Sequence, residues 1–416
     1  MGQVHKRLSD EQIRFVLQQY EHGVPSRASA QEVLGIGKTR FFALLHAYRQ
    51  RPGTFSVGYH RASPGRLSAA VEEAMARELR RERALVEDAE LPISDYNYSA
   101  VRDRLRQQGV VVSLTTVIAR AKALGCYRRR RKRKVHDRQV LTAAIGALIQ
   151  HDASTHRWSP YSDEKWTLIA SIDDYSRKLL YAEFVPQETT WAHIQAVRCL
   201  VEGYGVPLAY YVDSLRVFRF VQHRDSVWRK EVVGTDQADP QWKQVMRLMT
   251  IDVTYALSPQ AKGKIERPFR WLQDRIVRTC ALEHVTAIAE GSQVLQEEVA
   301  RYNGHQRHST TGEIPDQRFA QALATGNSLF RPFVLPPPYT VPEDVFCLRE
   351  ARVTDGYRRI ALANQAIAVP KVLPREPIEV HLVPDAAKQA MHIRMWWEGQ
   401  LVGTTVLPLS LFRVHI

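Results

Sequence analysis

Apolar positions in the first fifty residues recur at helical spacing. Ile13, Val16, Leu17 and Tyr20 share one face behind Ser9, a residue type that caps helix N-termini. His22-Gly23-Val24-Pro25 breaks that segment. The pattern then predicts a short helix over residues 30–34, a Gly35-Ile36-Gly37 turn, and a helix over 38–48 with Phe41, Leu44, Leu45 and Tyr48 inward. Residues 51–65, which open on Arg51-Pro52-Gly53 and close on Ser63-Pro64-Gly65, read as a linker. A charged helix over 69–83 follows. The helix, glycine turn, helix pattern then returns at 98–105, Gln108-Gly109 and 110–124, with Ser113 ahead of the last helical stretch.

From about residue 140 the period changes. Residues 147–153, 166–172 and 179–185 read as strands, with Asp173 to Lys178 turning between the last two. Residues 190–204 read as a helix with Trp191, Ile194, Val197 and Val201 inward. A strand at 207–212, a helix at 241–249, a strand at 253–257 and a final helix bearing Phe269, Leu272 and Ile276 complete an α/β layered core. Beyond Pro336-Pro337-Pro338 come six short strand patterns, at 345–348, 358–361, 366–369, 378–383, 392–397 and 401–406. They predict a small β-barrel. The expected organisation is multidomain α/β: a helix-turn-helix domain at 1–60, a second with a basic linker at 61–137, an α/β core at 138–325 and a C-terminal barrel at 326–416.

Composition narrows the function classes. The chain has 416 residues, enough for several domains, and 44% hydrophobic residues, enough for true cores. No run approaches the ~18 apolar residues of a membrane span, and the first residues lack the apolar centre of a signal peptide. A soluble, intracellular, cytoplasmic protein is the simplest expectation. Cys126, Cys199, Cys280 and Cys347 are far apart and form no CxxC pair, which argues against a zinc site or a disulfide framework.

The net charge is +14, and half of it comes from one run: Arg128, Arg129, Arg130, Arg131, Lys132, Arg133 and Lys134. Such a chain suits a polyanion, and nucleic acid is the commonest one. The plainer reading of the run is a solvated linker. In a helix-turn-helix the start of the second helix reaches base edges, which nominates Lys38, Thr39 and Arg40 in the first module and Thr115, Thr116 and Arg120 in the second. Each pair taken alone could equally be an ordinary helical hairpin.

One carboxylate stands out. In Ala261-Lys262-Gly263-Lys264-Ile265-Glu266-Arg267-Pro268 it is surrounded by cations at the mouth of an apolar-periodic segment. Asp152 interrupts an apolar strand, and Asp213 ends another. Singly, each Asp reads as a turn or cap residue. Strand ends and the next helix start converge at one sheet edge, however, where clefts lie. Three carboxylates there suit phosphoryl transfer, because Mg²⁺ or Mn²⁺ takes oxygen ligands and two ions can activate the attacking oxygen and stabilise the leaving one. Pro268 leaves two geometries open, a helix kinked at the proline or a helix that starts near it.

These residues resemble the DDE transposases of bacterial insertion sequences, which have a retroviral-integrase-type, ribonuclease-H-like core. The resemblance covers about residues 145–320. It rests on Gln150-His151-Asp152, on Ser171-Ile172-Asp173-Asp174-Tyr175-Ser176-Arg177, on Tyr211-Val212-Asp213, and most on Ser258 to Arg267. Tyr302-Asn303 and Gly312-Glu313-Ile314-Pro315 resemble the family's closing segment. The resemblance implies Asp152, Asp213 and Glu266 as a triad holding two Mg²⁺ or Mn²⁺ ions, with Asp173 and Asp174 as turn residues. It implies DNA contacts from Lys262, Lys264 and Arg267. It further implies binding to element-end DNA, hydrolysis at the 3′ ends and joining of the 3′-OH to target DNA, by a homo-oligomer and with an ATPase helper left open.

Two features depart from the family pattern. Ser214-Leu215-Arg216 replaces the usual small turn after the second Asp, and the long gap between Asp213 and Glu266 implies an insertion, assigned to 220–240. A different class of function stays open, a catalytically dead DNA-binding regulator derived from such an enzyme. A tyrosine recombinase fits poorly, because no Tyr stands within an ordered Arg and His cluster. The C-terminal barrel reads equally as a structural cap or as a DNA-binding part.

Overall fold

Ser9 accepts a hydrogen bond from the backbone N–H of Gln12, the Gln12 side chain accepts one from the backbone N–H of Ser9, and helix α1 (Asp10–Glu21) starts there. Ser26 caps α2 (Arg27–Leu34) by accepting from the Ser29 N–H, and Gly35 ends it in the left-handed conformation that residues with a Cβ avoid. α3 (Lys38–Gln50) then packs Phe41, Leu44, Leu45 and Tyr48 against Ile13, Leu17, Ala30 and Leu34. The computed structural model describes residues 4, 7–57, 67–128, 142–213, 241–255 and 263–412, except for the side chains of 263–267. The chain divides into two compact units, Met1–Glu73 and Ala74–Ile416. The three helices form the first.

Most of α4 (Ala69–Glu87) belongs to the second unit. α5 (Tyr98–Gln107) starts at the Asn97 cap and α6 (Leu114–Ala123) at the Ser113 cap. The core sheet follows. β1 (Ile149–His156), β2 (Trp166–Asp173) and β3 (Leu179–Val185) form an antiparallel meander. α7 (Thr190–Tyr204), capped by Thr189, leads to β4 (Ala209–Val212); α8 (Gln241–Leu248) leads to β5 (Asp252–Tyr255). β4 pairs parallel with β1, and β5 parallel with β4, giving the strand order β3-β2-β1-β4-β5. The sequence of strands and helices matches the one read from periodicity. The insertion assigned to 220–240 lies outside the described residues.

β2 is buried along its whole length, because both faces of the sheet are covered. On one face, Ile149, Tyr210 and Val212 pack with Ile194, Val197 and Leu200 of α7 and with Trp242, Val245 and Met246 of α8. On the other, Trp166, Leu168, Ala170 and Ile172 pack with Phe269, Leu272 and Ile276 of α9 (Gly263–Glu283) and with Val294 and Leu295 of α10 (Ile288–His305). Each of these large aliphatic side chains contributes about 1.5–3 kcal/mol by leaving water. Asn303 of α10 clamps the start of β3, its side chain donating to the Leu179 carbonyl and accepting from the Leu179 N–H, both at 2.9 Å. α11 (Pro315–Ala324) closes this part of the chain.

The C-terminal strands correct the expected barrel. β6 (Leu348–Val353), β9 (Pro377–Asp385), β10 (Ala390–Trp397) and β11 (Gln400–Pro408) make an open antiparallel sheet in the order β11-β10-β9-β6. β7 (Arg359–Leu362) and β8 (Gln365–Ala368) pair only with each other. Among the described residues no strand pairing closes the sheet into a barrel. The strand expected at 345–348 is also displaced. Val345, Phe346 and Cys347 are fully buried in the core beside α7 and α8, so their apolar run marks an anchor and not a pleated strand.

Candidate active site

β1 and β4 run parallel with Ile149 opposite Tyr210 and Gln150 opposite Tyr211. Continued along both strands, that register brings Asp152 level with Asp213, the residue just after β4. Neighbouring strands lie ~4.8 Å apart. Side-chain alternation decides the face. Ile149, Tyr210 and Val212 point to the α7 and α8 side, so Asp152 and Asp213 point to the opposite side, where α9 packs. Asp152 is buried at 8% exposure and Asp213 is half-buried.

α9 runs in the same direction as β1. Gln273 Nε2 donates to His156 Nε2 at 2.7 Å, and further along both segments Ser159 Oγ donates to the Val285 carbonyl at 2.5 Å. Burial and the nearby Lys165 hold the His156 imidazole below its ordinary pKa, which favours the neutral, accepting form. Glu266 lies two turns before Gln273, ~10.5 Å along the helix, and Asp152 lies four residues before His156, ~13 Å along the strand. Glu266 and Asp152 thus both precede the Gln273–His156 contact, by similar distances along their elements. Of Glu266 the structure describes only the backbone, which is helical. α9 begins at Gly263, so the helix is already running before Pro268, and the late start is excluded.

The neighbours of Asp152 fix its strand. Two residues earlier on the same face, Gln150 Nε2 donates to Asp174 Oδ1 at 2.5 Å, and Arg177 Nη1 donates to that oxygen at 2.8 Å. All three side chains are buried. Asp173 accepts from Gly146 N–H at 2.9 Å, and from Ser176 N–H at 2.8 Å and Ser176 Oγ at 2.6 Å. Burial raises its carboxyl despite those bonds. Both carboxylates of the β2–β3 turn are thus engaged in building the turn. On the opposite face His151 links Ser171 Oγ and His193 Nδ1, each at 2.8 Å, and His193 Nε2 reaches Glu188 at 3.0 Å.

Among the described residues no three His, Cys, Asp or Glu side chains are grouped as a metal site. Asp152 and Asp213 are two carboxylates at this face that do not belong to the β2–β3 turn, and such a pair brought level on neighbouring segments suits a divalent cation.

The residues nominated for DNA separate into groups. Lys38, Thr39 and Arg40 are exposed on the first turn of α3. Thr115 is exposed at the start of α6, while Thr116 and Arg120 are half-buried, and both threonine hydroxyls lie within 2.8 Å of the Ser113 hydroxyl. Arg128 is exposed and donates to the Ser94 carbonyl at 3.0 Å. Arg129, Arg130, Arg131, Lys132, Arg133, Lys134 and Lys262 lie outside the described residues. Lys264 and Arg267 sit on the helical start of α9, their side chains undescribed. Sequence reasoning missed Gln150 and Gln273, since nothing in a single polar residue says which distant partner it meets.

No family model matches the chain. Over 410 residues, 96% of its length, it is 27% identical to a protein of Sinorhizobium fredii (strain NBRC 101917 / NGR234) named "Putative transposase y4bF", spanning 81% of that protein. Over 171 residues, 41% of the chain and 35% of the relative, it is 28% identical to the "Transposase for insertion sequence IS1202" of Streptococcus pneumoniae. Among solved structures, a chain of the simian T-cell lymphotropic virus intasome in complex with PP2A regulatory subunit B56 gamma is similar at a TM-score of 0.36 and 12% identity, covering 74% of this chain and 92% of that one. The HTLV-2 integrase catalytic core domain in complex with magnesium is similar at a TM-score of 0.32 and 14% identity, covering 42% and 97%. The resemblance to transposases read from the residues is met by similarity to two of them, one over nearly the whole chain.

Proposed function

We propose that the chain is a DDE-type transposase that binds the DNA ends of its own element, cuts at their 3′ ends and joins them to target DNA. What supports this reading most is the β1–β4 register, which carried forward brings Asp152 level with Asp213 on the face where α9, the helix that contains Glu266, packs.

Asp152, Asp213 and Glu266 would hold two Mg²⁺ or Mn²⁺ ions, and two hard acid ligands on adjacent strands fit that demand. Bound there, such ions make the attacking oxygen more nucleophilic and stabilise the leaving one. The protein's own part is placement. The Gln150–Asp174–Arg177 bonds fix the strand before Asp152, and the Gln273–His156 bond fixes α9 above it. In the first step water attacks a phosphodiester and leaves a 3′-OH. In the second that hydroxyl attacks a target phosphodiester. One P–O bond forms as one breaks, so joining needs no external energy source.

Helix electrostatics support DNA as the partner. A helix N-terminus carries about half a positive charge. α3 opens with Lys38 and Arg40 behind Gly37, which offers no side-chain cap, and α9 opens with Lys264 and Arg267. Cations at that end are destabilising by roughly 0.3–1 kcal/mol each unless an anion such as phosphate sits among them. The two helix-turn-helix modules would read the element ends. A synapsis of two ends calls for at least two copies of the chain.

The deciding experiment mixes purified protein with a plasmid carrying the DNA that flanks its gene, in Mg²⁺ or Mn²⁺, with Glu266→Gln alongside. Metal-dependent cutting at the element ends, lost in the variant, supports the reading. Specific binding with no cutting under either metal would replace it with a regulatory role.

A further inference from the structure

The two helical segments expected to behave alike do not. Residues 1–73 form a unit of their own, whereas most of α4 and the whole of α5 and α6 belong to the unit that contains the sheet. The tie between α4–α5 and α9 is a buried, directional network. Arg278 of α9 is 3% exposed and donates to Glu82 of α4 at 2.5 Å. The same guanidinium donates to Asp274 at 3.1 Å and to the Asp95 carbonyl. Glu82, fully buried, also accepts from Arg104 of α5 at 2.9 Å and from the Asn97 N–H at 2.8 Å. Asn97, the cap of α5, donates its side chain to Asp274. Arg275 of α9, 2% exposed, forms an ion pair with Asp103 of α5 at 2.8 Å, though without hydrogen-bond alignment. Glu78 is fully buried, and its bonds from Arg104, Gln108 and Arg81 outweigh burial and hold its carboxyl below the usual range.

We propose that this network is a ruler. It fixes the distance from the DNA-reading start of α6 to the carboxylates beneath α9, and so selects which phosphodiester is cut. The inference rests on the transposase reading above. Apolar contacts are non-directional and let packed helices slide, whereas charge-assisted hydrogen bonds of this kind fix one register. Arg278 stands twelve residues, ~18 Å, along the same helix from Glu266. A tilt of α4–α6 about that contact would carry DNA held on α6 past the carboxylates. Glu82 and Arg278 are therefore positioning residues and touch no reacting atom.

The test compares full-length wild type with E82Q, R278K and D274N on an end-labelled duplex carrying the element end, with cut sites mapped to the nucleotide. End affinity, and nicking in Mn²⁺ of a plasmid that lacks the end, are measured in parallel. Asp274 is about one-third exposed, so D274N weakens the network with the least risk to folding. Wild type is expected to cut one phosphodiester. The variants should spread cuts over neighbouring positions and lose ~10-fold or more at the original one, the scale of an ångström-level misplacement, while end affinity and non-specific nicking stay within about twofold of wild type. Variants that cut the wild-type position alone, at any rate, overturn the ruler and leave the transposase reading standing. If wild type cuts nowhere, the transposase reading fails, and the ruler fails with it.

Discussion

The parallel register of β1 against β4, continued past Gln150 and Tyr211, brings Asp152 level with Asp213, the residue just after β4, on the face where α9 packs. They are 61 positions apart in the chain, and the register of β1 against β4 brings them together. Asp152→Asn and Asp213→Asn should each abolish metal-dependent cutting, by ~10³-fold or more if each removes several kcal/mol of transition-state stabilisation. End binding, measured by fluorescence anisotropy, should change less than about twofold, because neither residue belongs to the helices proposed to read DNA. A variant that still cuts at the wild-type rate would remove its aspartate from the proposed site.

The position of α10 depends on one small residue. Gly291 backs directly onto the Trp166 ring, and a Cβ there would collide with it. Trp166 is 1% exposed and cannot yield without disturbing Leu168 and Phe184 around it. Gly291→Ala should destabilise the second unit by about 1–3 kcal/mol, the usual cost of overpacking. A urea titration followed by tryptophan fluorescence reads the effect, and an unchanged midpoint would contradict this packing.

The core was legible where local physics and burial agree. β3 and α7 appear at the residues periodicity assigns them, because an edge strand with one buried and one more open face imposes alternation, and Thr189 caps the helix it precedes. The C-terminal part was not. Leu348–Val353 mixes three charged residues with three apolar ones out of strict alternation and half-faces water, so it reads as a weak strand, while the stronger apolar run before it anchors to the core. Whether strands close into a barrel depends on which edges pair, and no residue in β7 or β11 announces that. Of the candidate site, both aspartates were legible as acids breaking or ending apolar strands. Their shared level was not, since register is set by residues elsewhere on the sheet. The Glu82–Arg278 pair was invisible for a like reason, its partners lying 196 positions apart.

The C-terminal sheet carries a pH signature. His381 of β9 is fully buried. Burial alone would lower its pKa, but contacts to Asp344, Cys347 and Glu379 raise it to about 10. Asp344 also accepts from Arg394 at 2.5 and 2.8 Å and from Trp396 Nε1 at 2.9 Å, and those bonds with His381 hold its carboxyl below the usual range despite burial. The folded pKa lies above the unfolded value of ~6.5. The contribution of protonated His381 is therefore fully present below about pH 6.5 and is lost as pH rises toward 10. His381→Asn should lower the urea midpoint most at pH 6, with the gap to wild type closing by pH 10. A gap that stays constant across that range would show that His381 contributes only by packing.

The start of α3 makes the sharpest prediction for DNA. Lys38, Thr39 and Arg40 are exposed at the positive end of a helix with no side-chain cap, where the charges of Lys38 and Arg40 oppose the helix dipole. In the free protein Lys38→Gln and Arg40→Gln should thus be neutral or slightly stabilising, by a few tenths of a kcal/mol. On DNA the sign should reverse. A cation that meets a phosphate releases about one counterion, so each variant should weaken binding and reduce the slope of log affinity against log salt by ~1. If a variant instead weakens the proper element end and spares unrelated duplex, that residue reads a base edge. Unchanged affinity and unchanged salt slope in both variants would remove α3 from the DNA interface and leave the first unit's three helices as a plain bundle.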